Sequence, residues 1–203
     1  MKIYIDGENF RKGLERYLRD MKLLSSGETL KKYDIQALLG DVVGVDGLEI
    51  VYYSSKVKLP KGYEPSAKIV DTANKIKEES RVWLSNVVGQ GIGLIKAGNL
   101  KIKQSKPCYK CQSQQEILQE KGVDVRLAVD MLEDVYENSP SVVGLLSSDT
   151  DLCPVIHKAV AKSVKVTYIC FANGLNRAVA VASSETITIS AEKIKKYFEG
   201  NKQ

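Results

Sequence analysis

Histidine occurs once in this chain, at His157, tryptophan once, at Trp83, and proline only five times in 203 residues. A single histidine leaves no His pair with the spacing of a zinc helix or finger. No uncharged run reaches the ~18 apolar residues needed to span a bilayer. Met1-Lys2 leads straight into Ile3-Tyr4-Ile5, and Asp6 interrupts before an apolar leader core can form, so no secretory leader is expected. The four cysteines do not form a disulfide framework: Cys108 and Cys111 are close in sequence, while Cys153 and Cys170 sit in separate apolar stretches. That usage fits a reduced, cytoplasmic protein. There is no Walker A loop, and Gly89-Gln90-Gly91-Ile92-Gly93 precedes a strand instead of following one, which argues against a dinucleotide site.

What is present is ordinary globular composition, 43% apolar and 27% charged, enough for one domain over 1–203 with a full core. The net charge of +5 is unevenly placed. From Lys56 to Lys110 twelve basic residues face four acidic ones, a balance of +8, against −3 for the remainder. Such a segment suits a polyanion; it is equally the expected look of solvated helix and loop surfaces.

Strands and helices alternate. Lys2–Asp6, Leu48–Ser54, Val142–Leu146, Val164–Phe171 and Thr186–Ile189 read as strands, the Val142 run apolar throughout as in a central parallel strand. Asn9 onward is helical, with Phe10, Leu14, Tyr17 and Leu18 on one face. Further helices are predicted over 33–43, 66–86, 125–136, 150–162, 175–182 and 191–198. Ile69, Ala73, Ile76, Val82 and Leu84 form the stripe of the long one. Val125, Ala128, Val129, Leu132 and Val135 or Tyr136 form the face of the helix at 125–136. Gly98-Asn99, between Ile92–Ala97 and Leu100–Lys103, has the chemistry of a hairpin turn. The pattern predicts an α/β domain: a parallel central sheet with helices on both faces. A hairpin and Cys-loop elaboration falls at about 89–114, and a C-terminal strand and helix at 186–203.

In an open parallel sheet, ligands bind at the carboxyl ends of the strands. Asp6 ends the first strand, Asp149 and Asp151 follow the Val142–Leu146 strand, Asp124 opens the helix before that strand, and Asp130 lies further along it. Each has a local explanation as a cap or turn residue. Together on one rim they would repel one another, and a hard divalent cation, Mg²⁺ or Mn²⁺, relieves that repulsion. Beside a basic segment, such a site suits phosphodiester chemistry. Metals there activate a water and stabilise the leaving oxygen, while Lys56, Lys58, Lys61, Lys101, Lys103, Lys106 and Lys110 are placed to hold the polyanion's backbone.

Three ordered blocks carry a resemblance. Ile5-Asp6-Gly7-Glu8-Asn9, then Lys121-Gly122-Val123-Asp124-Val125 with Leu127 and Asp130, then Leu146-Ser147-Ser148-Asp149-Thr150-Asp151-Leu152 with Pro154, resemble the NYN domains of the PIN-like nucleases, LabA-like branch included. The resemblance covers Lys2 to about Phe171. It implies a Rossmann-like PIN fold and metal-dependent RNA cleavage leaving a 5′-phosphate and a 3′-hydroxyl. By it, Asp6, Asp130, Asp149 and Asp151 match the acidic metal-site positions and Asp124 a further one. Asn9 matches the polar residue that orients the first aspartate or the phosphate, and Ser147 and Ser148 match the small polar pair before the third block's aspartate. Ser148 departs from the family, which often carries glycine there; serine is strained if that turn needs positive φ.

A ribonuclease is therefore expected. The alternatives are a catalytically weak or inactive RNA- or protein-binding module on the same fold, and a metal-dependent phosphatase for small molecules, which would need no extended basic surface. Cys108-Tyr109-Lys110-Cys111 has the spacing of half a zinc site, which a second copy of the chain in a homo-oligomer could complete; a plain dithiol loop is the simpler reading. His157 reads as a surface or packing residue. Trp83, Tyr52 and Tyr53 read as core, and Tyr63 and Tyr109, in basic loops, are the better base-stacking candidates.

Overall fold

Five residues, Lys2–Asp6, make the strand around which the rest is built (β1). Ile3 and Ile5 point into one core and Tyr4 into the other, so β1 is buried on both faces, as its unbroken apolar character requires. The computed structural model describes residues 1–58 and 64–198. After β1 come α1 (Gly7–Asp20), α2 (Ile35–Val43), β2 (Glu49–Lys58), α3 (Ala67–Gly89), β3 (Gly93–Gln104) and β4 (Glu116–Lys121). The second half holds α4 (Val123–Glu137), β5 (Val142–Leu146), a 3₁₀ turn (Thr150–Leu152), α5 (Cys153–Ala161), β6 (Lys165–Phe171), α6 (Arg177–Ala182), β7 (Glu185–Ile189) and α7 (Ala191–Lys196).

The strands form one seven-stranded sheet in the order β4-β3-β2-β1-β5-β6-β7. All neighbours run parallel except β3 and β4. Phe10, Leu14 and Leu18 of α1, Leu38 of α2, Trp83 of α3 and Ile194 of α7 pack on one face; Leu127 and Met131 of α4, Ile156 of α5 and Val179 of α6 pack on the other. The chain leaves β1 toward β2 on one side and returns to it with β5 on the other. The strand order therefore reverses between β1 and β5, and their carboxyl ends border a crevice. Among the described residues no helix is long and apolar enough to cross a membrane.

Two expectations are corrected. Gly98-Asn99 makes no turn: β3 runs straight through it, and β4 pairs back along β3 from Asn99–Lys121 to Gln104–Glu116. The turn of this hairpin is the cysteine-bearing loop at 105–115. Gly98 serves close packing instead. It follows a bulge opposite Ser54/Ser55, and a β-carbon there would sit 2.5 Å from Val123 and 2.7 Å from Glu120. The face of α4 is also different. Val123, Leu127, Met131 and Val135 are buried, while Val125, Val129 and Tyr136 are exposed. Both candidate stripes are apolar, so periodicity alone cannot choose. The choice is made by Val123 closing on Gly98 and by Asp134, which bonds Lys2 Nζ at 2.6 Å and the Tyr4 hydroxyl.

Candidate active site

Asp6 is the last residue of β1 and the N-cap of α1; its Oδ1 accepts from the Asn9 backbone N–H at 3.2 Å. It is only 7% exposed. Its Oδ2 accepts from the Ser147 hydroxyl at 3.1 Å, and the same hydroxyl accepts from the Asp149 N–H at 3.2 Å. Ser147 is thus a buried bridge between the ends of β1 and β5. Asp149 caps the 3₁₀ turn, accepting from the Asp151 N–H at 2.9 Å. Asp124 sits in the first turn of α4, which opens after Gly122 at φ +98°, a conformation that favours glycine.

These carboxylates feel one another. Burial pushes Asp6 up to about 6, and the charges of Asp124 and Asp149 push the same way, against the Asn9 N–H and the Ser147 hydroxyl, which favour the ionised form. Asp124 is raised by burial first, then by Asp149 and Asp151. No ion pair reaches Asp6, Asp124, Asp149 or Asp151 among the described residues. Among those residues, no three His, Cys, Asp or Glu side chains stand close enough together to hold a metal ion as they are.

Asp130 is not brought to this rim. Tyr53 donates to its Oδ2 at 2.9 Å and Arg126 Nε to its Oδ1 at 2.6 Å. The helix explains why: six residues beyond Asp124 is about 240° around the axis and about 9 Å along it. Asn9 contributes its backbone N–H, and its side chain bonds to nothing among the described residues. Ser148 faces away, its hydroxyl donating to the Gly174 carbonyl at 3.0 Å and lying 3.0 Å from that of Tyr168. Its φ is not positive, so serine in place of the family's glycine carries no backbone strain.

Glu120 is the residue that sequence reasoning missed. It is the last but one residue of β4, just ahead of the second block, and its Oε1 is buried with no hydrogen-bond partner among the described residues. Burial raises its pKa, and the charges of Asp124, Asp6 and Glu8 push it the same way. Its adjacency to Lys121-Gly122-Val123-Asp124 was the available signal; β4 itself, a short edge strand, was not predicted.

Lys56, Lys58, Lys101, Lys103, Lys106 and Lys110 are all exposed. Lys58 pairs with Lys101 in register, so Lys56, Lys58, Lys101 and Lys103 share one face of the β2–β3 ribbon, with Val57, Leu100, Ile102 and Leu118 on the other. Lys61 and Tyr63 lie outside the described residues. Cys108 and Cys111 are exposed thiols in the hairpin loop, Tyr109 between them is 93% exposed, and Cys170 is buried. Trp83 is core, its Nε1 donating to the Tyr52 hydroxyl at 2.8 Å. His157 is exposed.

A solved structure of a protein of unknown function from Vibrio parahaemolyticus aligns over 93% of this chain and 91% of its own, at 13% identity and a TM-score of 0.48. No curated protein matches the chain. The family model described as NYN domain matches residues 1–190, from the start of β1 to the end of β7 and through all three acidic blocks in order. The chain belongs to the NYN domain family.

Proposed function

We propose that this protein is a metal-dependent ribonuclease that hydrolyses phosphodiester bonds at the rim formed by Asp6, Asp124, Asp149 and Asp151. NYN domains are in general nuclease-like, and nucleases of this kind typically use divalent metals. The observation that carries the reading is the set of mutually coupled, unpaired carboxylates at the β1–β5 crevice. The donor set fits Mg²⁺ or Mn²⁺ in kind: hard oxygens, partly desolvated, with no ion pair to a protein cation among the described residues. When bound there, such an ion supplies Lewis acidity toward the phosphate and a more acidic water.

The chain's own residues do the positioning. Ser147 holds the end of β1 and the start of the third block in register by bonding Asp6 and the Asp149 N–H. Asp149 fixes the 3₁₀ turn and so places Asp151. Asp130 has a supporting part: with Tyr53 and Arg126 it anchors α4, which carries Asp124. The exposed lysines attract the RNA backbone, and the products are a 5′-phosphate and a 3′-hydroxyl. The Rossmann-like PIN architecture and a cytoplasmic location belong to the same reading.

The spacing of the carboxylates, too wide as they stand to hold an ion, keeps a second reading open, an RNA- or protein-binding module with little hydrolysis. Cleavage of total cellular RNA in EDTA, Mg²⁺ or Mn²⁺, comparing wild type with Asp149→Asn, separates the two. Metal-dependent cleavage lost in the variant supports the nuclease. No cleavage by folded wild type, with Mn²⁺ binding weak and indifferent to Asp149→Asn, supports the binding module.

A further inference from the structure

Next to the acidic rim lies a cleft of about 540 Å³ that the proposed hydrolysis leaves unused. Its floor is the apolar face of the β2–β3–β4 ribbon: Val57, Leu100 and Leu118, none of them fully buried. Ile76, Glu79 and Ser80 of α3 form one wall, and Arg11, Lys12 and Glu15 of α1 form another. Arg11 is held in place, its Nε 3.3 Å from Glu15 and its guanidinium over the Trp83 ring at 5.6 Å. At one end are Glu8, two residues beyond Asp6, and Glu120, which packs with Val123 against Gly98 just ahead of Asp124. The cleft therefore abuts the rim. Beyond it, sharing Ser55, Val57 and Ser80, runs a second groove of about 470 Å³ lined by Lys56, Lys77, Arg81 and Lys96.

We infer that the cleft takes one unstacked nucleotide of a single-stranded RNA, the nucleotide flanking the scissile phosphate. The inference rests on the ribonuclease reading for its substrate class. The order of chemistries along this surface is acidic rim, a cleft with an apolar floor and polar walls, and basic groove. That order matches a strand whose scissile phosphate lies at the rim, whose adjacent base rests on Val57, Leu100 and Leu118, and whose next phosphates meet Lys77 and Lys96. A base packs on apolar floors whatever its identity, and hydroxyls such as those of Ser55 and Ser80 suit its polar edge. The volume is in the range of small-ligand sites. A base within a duplex would have to leave its stack to enter, so the pocket selects unpaired RNA.

The test uses the full chain in EDTA, which removes cleavage from the readout. Methyl-resolved NMR is recorded with a single-stranded 12-nucleotide RNA and with the duplex of the same sequence. The inference expects shifts at the Val57, Leu100, Leu118 and Ile76 methyls with the single strand and not with the duplex. Leu118→Glu is expected to weaken single-strand binding about tenfold or more, because it sets a carboxylate where the base loses apolar contact. Should Leu118→Glu fail to fold, Ser80→Trp fills the cleft from the surface of α3 and is expected to weaken binding to a similar extent. Shifts confined to other methyls, equal response to the duplex, or full binding by both variants overturns the inference. Metal-dependent cleavage with unmoved cleft methyls would remove the pocket and leave the nuclease standing. Single-strand shifts without any cleavage would remove the nuclease and leave the pocket as a binding site.

Discussion

Asp6 carries a cost that only a function explains. Its carboxyl titrates near 6 in the folded chain, above the ordinary aspartate value of 3.8. The folded state therefore holds its proton more tightly than the unfolded state does. The favourable contribution is complete below about pH 4 and is lost as pH rises through about 6. A rise of this size corresponds to about 3 kcal/mol at most. Asp6→Asn is accordingly expected to stabilise the metal-free protein at pH 7 by about 1–3 kcal/mol and to flatten the pH dependence between 4 and 6, read by denaturant unfolding in EDTA. Adding Mn²⁺ should stabilise wild type and not the variant. Ser147 acts at the same scale. Ser147→Ala removes both bonds of the bridge, and the expected loss in Mn²⁺ affinity or cleavage is about 10–100-fold, as for other residues that orient ligands. Titration calorimetry measures it, with circular dichroism checking the fold.

Among the elements, the close approach of α1 to β2 is decisive for where Asp6 points. A β-carbon on Gly7 would lie 2.2 Å from the Tyr52 ring and 2.4 Å from the Tyr53 carbonyl, and that carbonyl cannot give way. The Tyr52 hydroxyl also donates to the Gly7 carbonyl at 2.6 Å. Gly7→Ala is expected to destabilise the protein by about 1–3 kcal/mol or more and to shift the denaturation midpoint down with an unchanged slope. Gly7 illustrates what was legible: it stands in the first block, and the block's meaning was readable before the close approach to β2 was. The central strands β1 and β5, buried on both faces, announced themselves by unbroken apolar runs, and α1 by a stripe with no rival. Chemistry spread over edges was less legible. In β4, charged and apolar residues mix on an edge strand. In α4, Val125 and Val129 compete with Leu127 and Met131, and only the partners across the sheet decide. Asp130 was grouped with Asp124 by the family resemblance, and in the fold it bonds Tyr53 and Arg126 instead. The cleft beside the rim could not be read from sequence, because it is made where three strands and two helices meet.

In the whole molecule, charge is divided by place. The basic segment folds into β2, α3, β3 and the hairpin loop, all on one flank of β1, and the acidic rim sits at its border. Two lysine surfaces result, one lining the groove and one on the reverse of the ribbon. Lys77→Ala with Lys96→Ala is expected to lower the slope of log affinity against log salt for single-stranded RNA by roughly 1.4, about 0.7 for each phosphate no longer neutralised. Lys101→Ala with Lys103→Ala should change it by less than half as much, since that face attracts at a distance. Fluorescence anisotropy across a salt series measures both; equal slopes would mean the strand runs over the reverse face as well.

The Ser147–Asp6 bond joins residues 141 positions apart. A ribosome adding ~5–20 residues per second takes on the order of ten seconds to cover that distance. Throughout that interval β1 exists without β5, and Asp6 has neither Ser147 nor Asp149 beside it. A nascent chain therefore has no assembled rim until synthesis has passed Ser147 and Asp149. Under the proposed ribonuclease reading, a chain still in synthesis would carry no activity against the message that encodes it until that bond can form.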